Sequence, residues 1–83
     1  MFYTYILFSA QLNKHYIGYT AGSVELRVRK HLLSNKGFTS KARDWKIVYV
    51  EAFTTKQLAM SREKEIKGWR NRKLIEKLIN SIE

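Results

Sequence analysis

Phe2-Tyr3-Thr4-Tyr5-Ile6-Leu7-Phe8, six mostly polar residues, then His15-Tyr16-Ile17-Gly18-Tyr19-Thr20: this opening decides the fold. In the first run Tyr3 and Tyr5 alternate with Phe2, Thr4, Ile6 and Phe8, the period-two pattern of a strand. The second run, His15 to Thr20, reads as another strand. Ser9 to Lys14 makes a hairpin loop between them, with Asn13 at its turn. The pair is therefore expected to be antiparallel.

Outward from the hairpin, Ala21-Gly22 breaks the strand and Ser23 supplies an N-cap for a helix over Val24 to Leu33. Val24, Val28 and Leu32 form a stripe toward the sheet, with Arg27 and His31 one turn apart on a neighbouring face. Residues 34 to 44 read as a polar, basic loop. Trp45 to Phe53 reads as a third strand, with Ile47, Tyr49 and Glu51 on one side and Val48, Val50 and Ala52 on the other. Thr54 with Gln57 has capping-box spacing, with Phe53 and Leu58 as its staple, and the helix it opens runs to about Lys67, where Gly68 stops it. Asn71 to Ile82 forms a last amphipathic helix that buries Leu74, Ile75, Leu78, Ile79 and Ile82. The order β-β-α-β-α-α implies an α+β fold: a small three-stranded, mainly antiparallel sheet flanked by helices.

Composition narrows the function. Eighty-three residues make one domain, 1–83, and 45% apolar content is enough for a core. The absence of cysteine removes thiol nucleophiles, disulfides and cysteine-ligated zinc. No apolar run approaches the roughly 18 residues of a membrane span, and the first residues lack signal-peptide character. A cytoplasmic location and no membrane partner are expected. Sixteen Lys and Arg against seven Asp and Glu give a net charge of +9. All the basic residues except Lys14 fall between Arg27 and Lys77. A one-sided positive surface is the footprint of a polyanion binder. Lys36, Lys41, Arg43 and Lys46 around the long loop, and Lys67, Arg70, Arg72 and Lys73 after the second helix, are candidate phosphate contacts. Such contacts position a backbone without reading sequence. Arg29 and Lys30 read as a solvated basic face with loose backbone contact. Trp69 reads as a core or inter-helix residue. No sequence-reading module is evident, so targeting falls to the substrate's structure or to a protein partner.

The acids are Glu25, Asp44, Glu51, Glu63, Glu65, Glu76 and Glu83, and no two form a DxD-like pair. This disfavours a two-metal site. A single acid holding one divalent ion, with water and phosphate oxygens completing the shell, matches Mg²⁺ chemistry.

Tyr3-Thr4-Tyr5-Ile6-Leu7, Tyr16-Ile17-Gly18, Leu26 and Arg27 with His31, Trp45-x-x-Val48-Tyr49-x-Glu51, then Ala59-x-x-x-Glu63 and Ile66-Lys67 follow in an order that resembles the GIY-YIG nuclease superfamily, in particular its short bacterial stand-alone members. The first motif departs from its name, because Tyr3 and Thr4 replace the glycine and isoleucine. Neither Asn71 nor Asn80 sits in a motif matching the asparagine some members carry. The resemblance implies a divalent-metal-dependent endonuclease, using Mg²⁺ or Mn²⁺, that hydrolyses DNA phosphodiesters with low sequence specificity in repair or recombination-type processing. Carried over, Glu63 is the metal ligand, Tyr5 and Tyr16 flank the scissile phosphate, Arg27 neutralises its oxygens and His31 relays a proton or binds the phosphate. Which tyrosine is the base stays open. The alternative is a non-catalytic basic nucleic-acid-binding module on the same fold. A protein-interaction or ribosome-associated module rests on charge and size alone.

Overall fold

The computed structural model describes residues 1–33 and 41–81, except for the side chains of His31 and Leu33. Six elements follow in the expected order: β1 (Phe2–Ser9), β2 (Lys14–Ala21), α1 (Val24–Leu33), β3 (Lys46–Phe53), α2 (Lys56–Trp69) and α3 (Arg72–Asn80). The strands form one antiparallel sheet in the order β2-β1-β3. β1 is thus central and β2 is an edge.

Alternation along β1 divides the molecule into two cores. Tyr5 and Leu7 face α1 and pack with Val24, Val28 and Trp45. Ile6 points the other way and joins Ile17, Tyr49, Ile66 of α2 and Ile75 of α3. Leu7, Ile6 and Ile66 are fully buried, and burying each such aliphatic side chain contributes about 2 kcal/mol. The buried Thr4 hydroxyl fastens α2 to the sheet by donating to the Ala59 carbonyl at 2.7 Å.

Several local expectations shift. Ile47 and Tyr49 do not share a face. The β1–β3 register steps from Ile6↔Tyr49 to Leu7↔Ile47, leaving Val48 as an extra residue. This bulge turns Ile47 toward α1 and Tyr49 toward α2. Trp45 lies just before β3, buried in the α1 core.

The N-cap of α2 is Thr55 rather than Thr54, with its hydroxyl accepting from Leu58 N at 3.2 Å. The one-residue shift moves the staple position from Leu58, which is exposed, to Ala59, which is buried. α2 also passes through Gly68 to Trp69. The left-handed cap falls on Arg70, at φ 48°, so a non-glycine residue takes the conformation expected of the glycine. Asn71 is the N-cap of α3, accepting from Lys73 N and Leu74 N. Leu74 is exposed, and Ile75, Leu78 and Ile79 carry the packing; Ile82 lies outside the described residues. Among the described residues no helix is long and apolar enough to cross a membrane.

Candidate functional site

The hairpin register sets Tyr5 opposite Gly18 and Leu7 opposite Tyr16. Tyr5 and Tyr16 therefore emerge from neighbouring strands on the α1 side of the sheet. Gly18 is the space between them. A Cβ placed on it would lie 2.7 Å from the Tyr5 hydroxyl oxygen and 3.1 Å from Cε1 of Tyr16. The β1–β2 register is unbroken here. The glycine is thus explained by the phenol lying across its backbone and not by a bulge.

Tyr5 is 1% exposed. Burial, and next the neighbouring Tyr16, push its pKa above the usual value, against a hydrogen bond from the Arg27 guanidinium that works the other way. At neutral pH Tyr5 is therefore a protonated donor. Arg27 reaches this phenol from α1, whose start is set by Ser23. The Ser23 hydroxyl accepts from Leu26 N at 3.3 Å, and its carbonyl accepts from Arg27 N.

The second helix layer completes the arrangement. A cavity of about 470 Å³ is lined by Phe2, Tyr5, Tyr16, Gly18, Tyr19, Thr20, Ala21, Arg27, Lys56 and Glu63. α1 and α2 cover opposite faces, so residues from both meet only by wrapping an edge, and β2 is that edge. Tyr5, Tyr16, Arg27 and Glu63, chosen from sequence, all line this one space.

Glu63 is the only acid in that lining. Its side chain is 15% exposed, with Lys67 Nζ 3.5 Å from Oε2. The other described acids on structured elements serve as scaffold. Glu51 accepts from Tyr49 and Arg62, Glu65 pairs with Arg62, Glu76 with Arg72, and Glu25 accepts from Ser23. No group of three or more His, Asp or Glu side chains converges among the described residues. A single, largely sheltered carboxylate at the wall of an open cavity suits a hard divalent ion that keeps most of its water, and does not suit an ion needing a closed protein cage. A single carboxylate at the cavity wall is compatible with Mg²⁺ or Mn²⁺, which Glu63 would hold.

The remaining expectations divide. The His31 side chain and Lys36 lie outside the described residues. Lys41, Arg43 and Lys46 are exposed before and at the start of β3, Arg70 occupies the left-handed cap, and Lys73 is exposed on α3. Arg72 is engaged structurally. It donates to Asn13 Oδ1 at 2.6 Å and to the Asn13 carbonyl at 3.1 Å, pairs with Glu76 and lies over the Phe8 ring. Lys67 pairs with Glu63 and is half exposed. Trp69 packs against the α2–α3 core, with the Arg62 guanidinium 5.5 Å from its ring centre.

Sequence reasoning missed Lys56 and the cavity's rim of Phe2, Tyr19, Thr20 and Ala21. Lys56 was legible in principle. It precedes Glu63 by seven residues, two helical turns, and so shares its face. The rim residues carry no chemical signature and become visible only with the strand register.

A family model described as the GIY-YIG catalytic domain matches residues 1–77. No curated protein and no solved structure matches the chain.

Proposed function

Because the chain belongs to the GIY-YIG catalytic-domain family, whose fold is of nuclease type, we propose that it is a divalent-metal-dependent endonuclease that hydrolyses phosphodiester bonds in DNA, with low sequence specificity and a role in repair or recombination-type processing. The observation that carries this reading is the convergence of Tyr5, Tyr16, Arg27 and Glu63 on one cavity. Their order along the chain does not require that meeting, and a binding surface has no use for it.

Each side chain has a role that follows from its setting. Glu63 holds the ion, which when bound supplies Lewis-acid stabilisation of the charge developing on the phosphate. Arg27, which hydrogen-bonds the Tyr5 phenol, presents a planar fork to the non-bridging oxygens. Tyr5, kept protonated by burial, donates to a phosphate oxygen and makes a poor base. That leaves Tyr16 to orient the attacking water. Lys56 adds a second cation on the α2 wall.

The alternative, a basic module that only binds nucleic acid, accounts for Glu63 as the ion-pair partner of Lys67 but gives no reason for Tyr5, Tyr16 and Arg27 to meet it in one cavity. The deciding measurement compares the wild-type chain with Glu63→Gln on labelled single-stranded, duplex and branched DNA, in Mg²⁺, Mn²⁺ and EDTA. Metal-dependent cleavage that falls at least about 1,000-fold in the variant, with an unchanged circular-dichroism melt, is expected. Equal cleavage by both proteins removes Glu63 from the mechanism. Salt-sensitive binding without cleavage in any metal favours the binding module.

A further inference from the structure

A second groove of about 390 Å³ adjoins the first cavity and shares Thr20, Ala21 and Arg27 with it. Its outer wall is α1, which contributes Leu26, Arg29 and Lys30, with Ser23 at the helix start. Val24 and Val28 are spent on the core, so these groove residues occupy the face of α1 turned from it.

Some of the chain's cations are already committed. Arg62, Lys67 and Arg72 are paired with carboxylates. Among the described residues Arg29 and Lys30 form no ion pair, although both are exposed. Their one polar neighbour of opposite sign on this helix, Glu25, accepts from Ser23. Leu26, one turn N-terminal to both along the helix, is 58% exposed. An apolar side chain one turn from two uncommitted cations in the same groove suits a sugar-phosphate chain, which offers anionic and apolar faces in alternation. A purely solvated face has no reason to adjoin the reaction cavity through three common residues.

We infer that the groove between Thr20–Ala21 and α1 is a phosphate subsite, which holds the strand on one side of the bond cleaved, with Arg29 and Lys30 binding the flanking phosphates. The inference rests on the proposed nuclease reading and deepens it. The substrate then enters as a strand laid across the β2 edge, with one phosphate at Tyr5 and Arg27 and its neighbours along α1. Arg29 and Lys30 act as positioning residues that set affinity and register.

The test uses the whole chain in the Glu63→Gln background, with fluorescein-labelled single-stranded and duplex DNA followed by anisotropy between low and moderate KCl. Arg29→Ala/Lys30→Ala is expected to weaken binding about tenfold and to flatten the log-affinity against log-salt slope by about 1.4 for single strands, two contacts' worth. Lys64→Ala/Lys77→Ala removes the same charge from α2 and α3 and serves as the reference. In the otherwise wild-type chain, the groove variant's loss of kcat/KM falls mainly on KM. A second pair, Arg29→Gln/Lys30→Gln, repeats the measurement with side chains of similar length, and the melting curve of each variant establishes folding. Groove variants that match the reference pair in affinity, slope and KM overturn the subsite. A chain that cleaves nothing, yet still loses slope in the groove variants, keeps the subsite and overturns the hydrolytic reading instead.

Discussion

The two ends of the β1–β2 hairpin use the same kinds of residue for opposite purposes. At the turn end, Ser9 donates to Asp44 Oδ1 at 2.5 Å and accepts from Leu12 N, while Gln11 N donates to Asp44 Oδ2. Arg72 clamps Asn13, and Phe8 and His15 pack with ring centres 4.8 Å apart. Donors and acceptors there are spent on each other and fix the loop before β3 and the start of α3 to one spot. Toward the open end, two tyrosines, an arginine and a glutamate surround a space instead of closing it. The turn end shows where polar groups are spent on the scaffold, and the open end where they line a space instead.

The contrast breaks most visibly at Gly18. Gly18→Ala drives a methyl group against a phenol that has no room to swing, because Tyr5 is buried. The expected cost is about 2–3 kcal/mol in a denaturant melt, with cleavage by the folded protein down at least about tenfold as the Tyr5 hydroxyl moves. Full activity in this variant removes the Tyr5 position from the mechanism. Ser9→Ala tests the opposite end. It takes a partner from Asp44 and an acceptor from Leu12 N, for about 1–2 kcal/mol of lost stability, while cleavage by the folded fraction stays at the wild-type rate. A loss of rate beyond the loss of folded protein dissolves the division between the two ends.

The smallest effect is one of pH. Hydrogen bonds from Ser9, and next from the Gln11 backbone, hold the Asp44 carboxyl below the ordinary aspartate range. A depressed folded pKa means that the contribution is complete above the unfolded value near 4 and is lost as pH falls through the folded one. Hydrogen exchange at the Gln11 amide should lose protection over that acid window, ahead of the amides in the middle of β1. Asp44→Asn should abolish the pH dependence at that amide. Persistent protection at low pH assigns the latch to Arg72 alone.

Much of this was legible before any coordinates. Alternation placed β1 and β2, the Val24–Val28–Leu32 stripe oriented α1, and the ordered tyrosine, arginine and acid motifs marked the cavity residues. What stayed hidden depended on partners far along the chain. The Val48 bulge is invisible because a β-branched residue in a strand-like run looks regular whichever face it takes. Arg72 looked like any surface cation, since its acceptor on Asn13 lies 59 residues away. The cap at Arg70 defeats a glycine rule, because α2 continues two residues further, through Gly68, and sets Trp69 against the core. Lys56 required only a count of two turns back from Glu63.

The split of the core by a single sheet carries a last consequence. Tyr5, Tyr16 and Arg27 belong to the α1 layer, Glu63 and Lys56 to the α2 layer, and Thr4 with Ala59 rivets the second to the sheet. The cavity is a calliper whose jaws are anchored in different layers. Its gap is set by how well those layers stay in registration, so a small slip of α2 along the sheet misaligns acid and phenols while each layer remains folded.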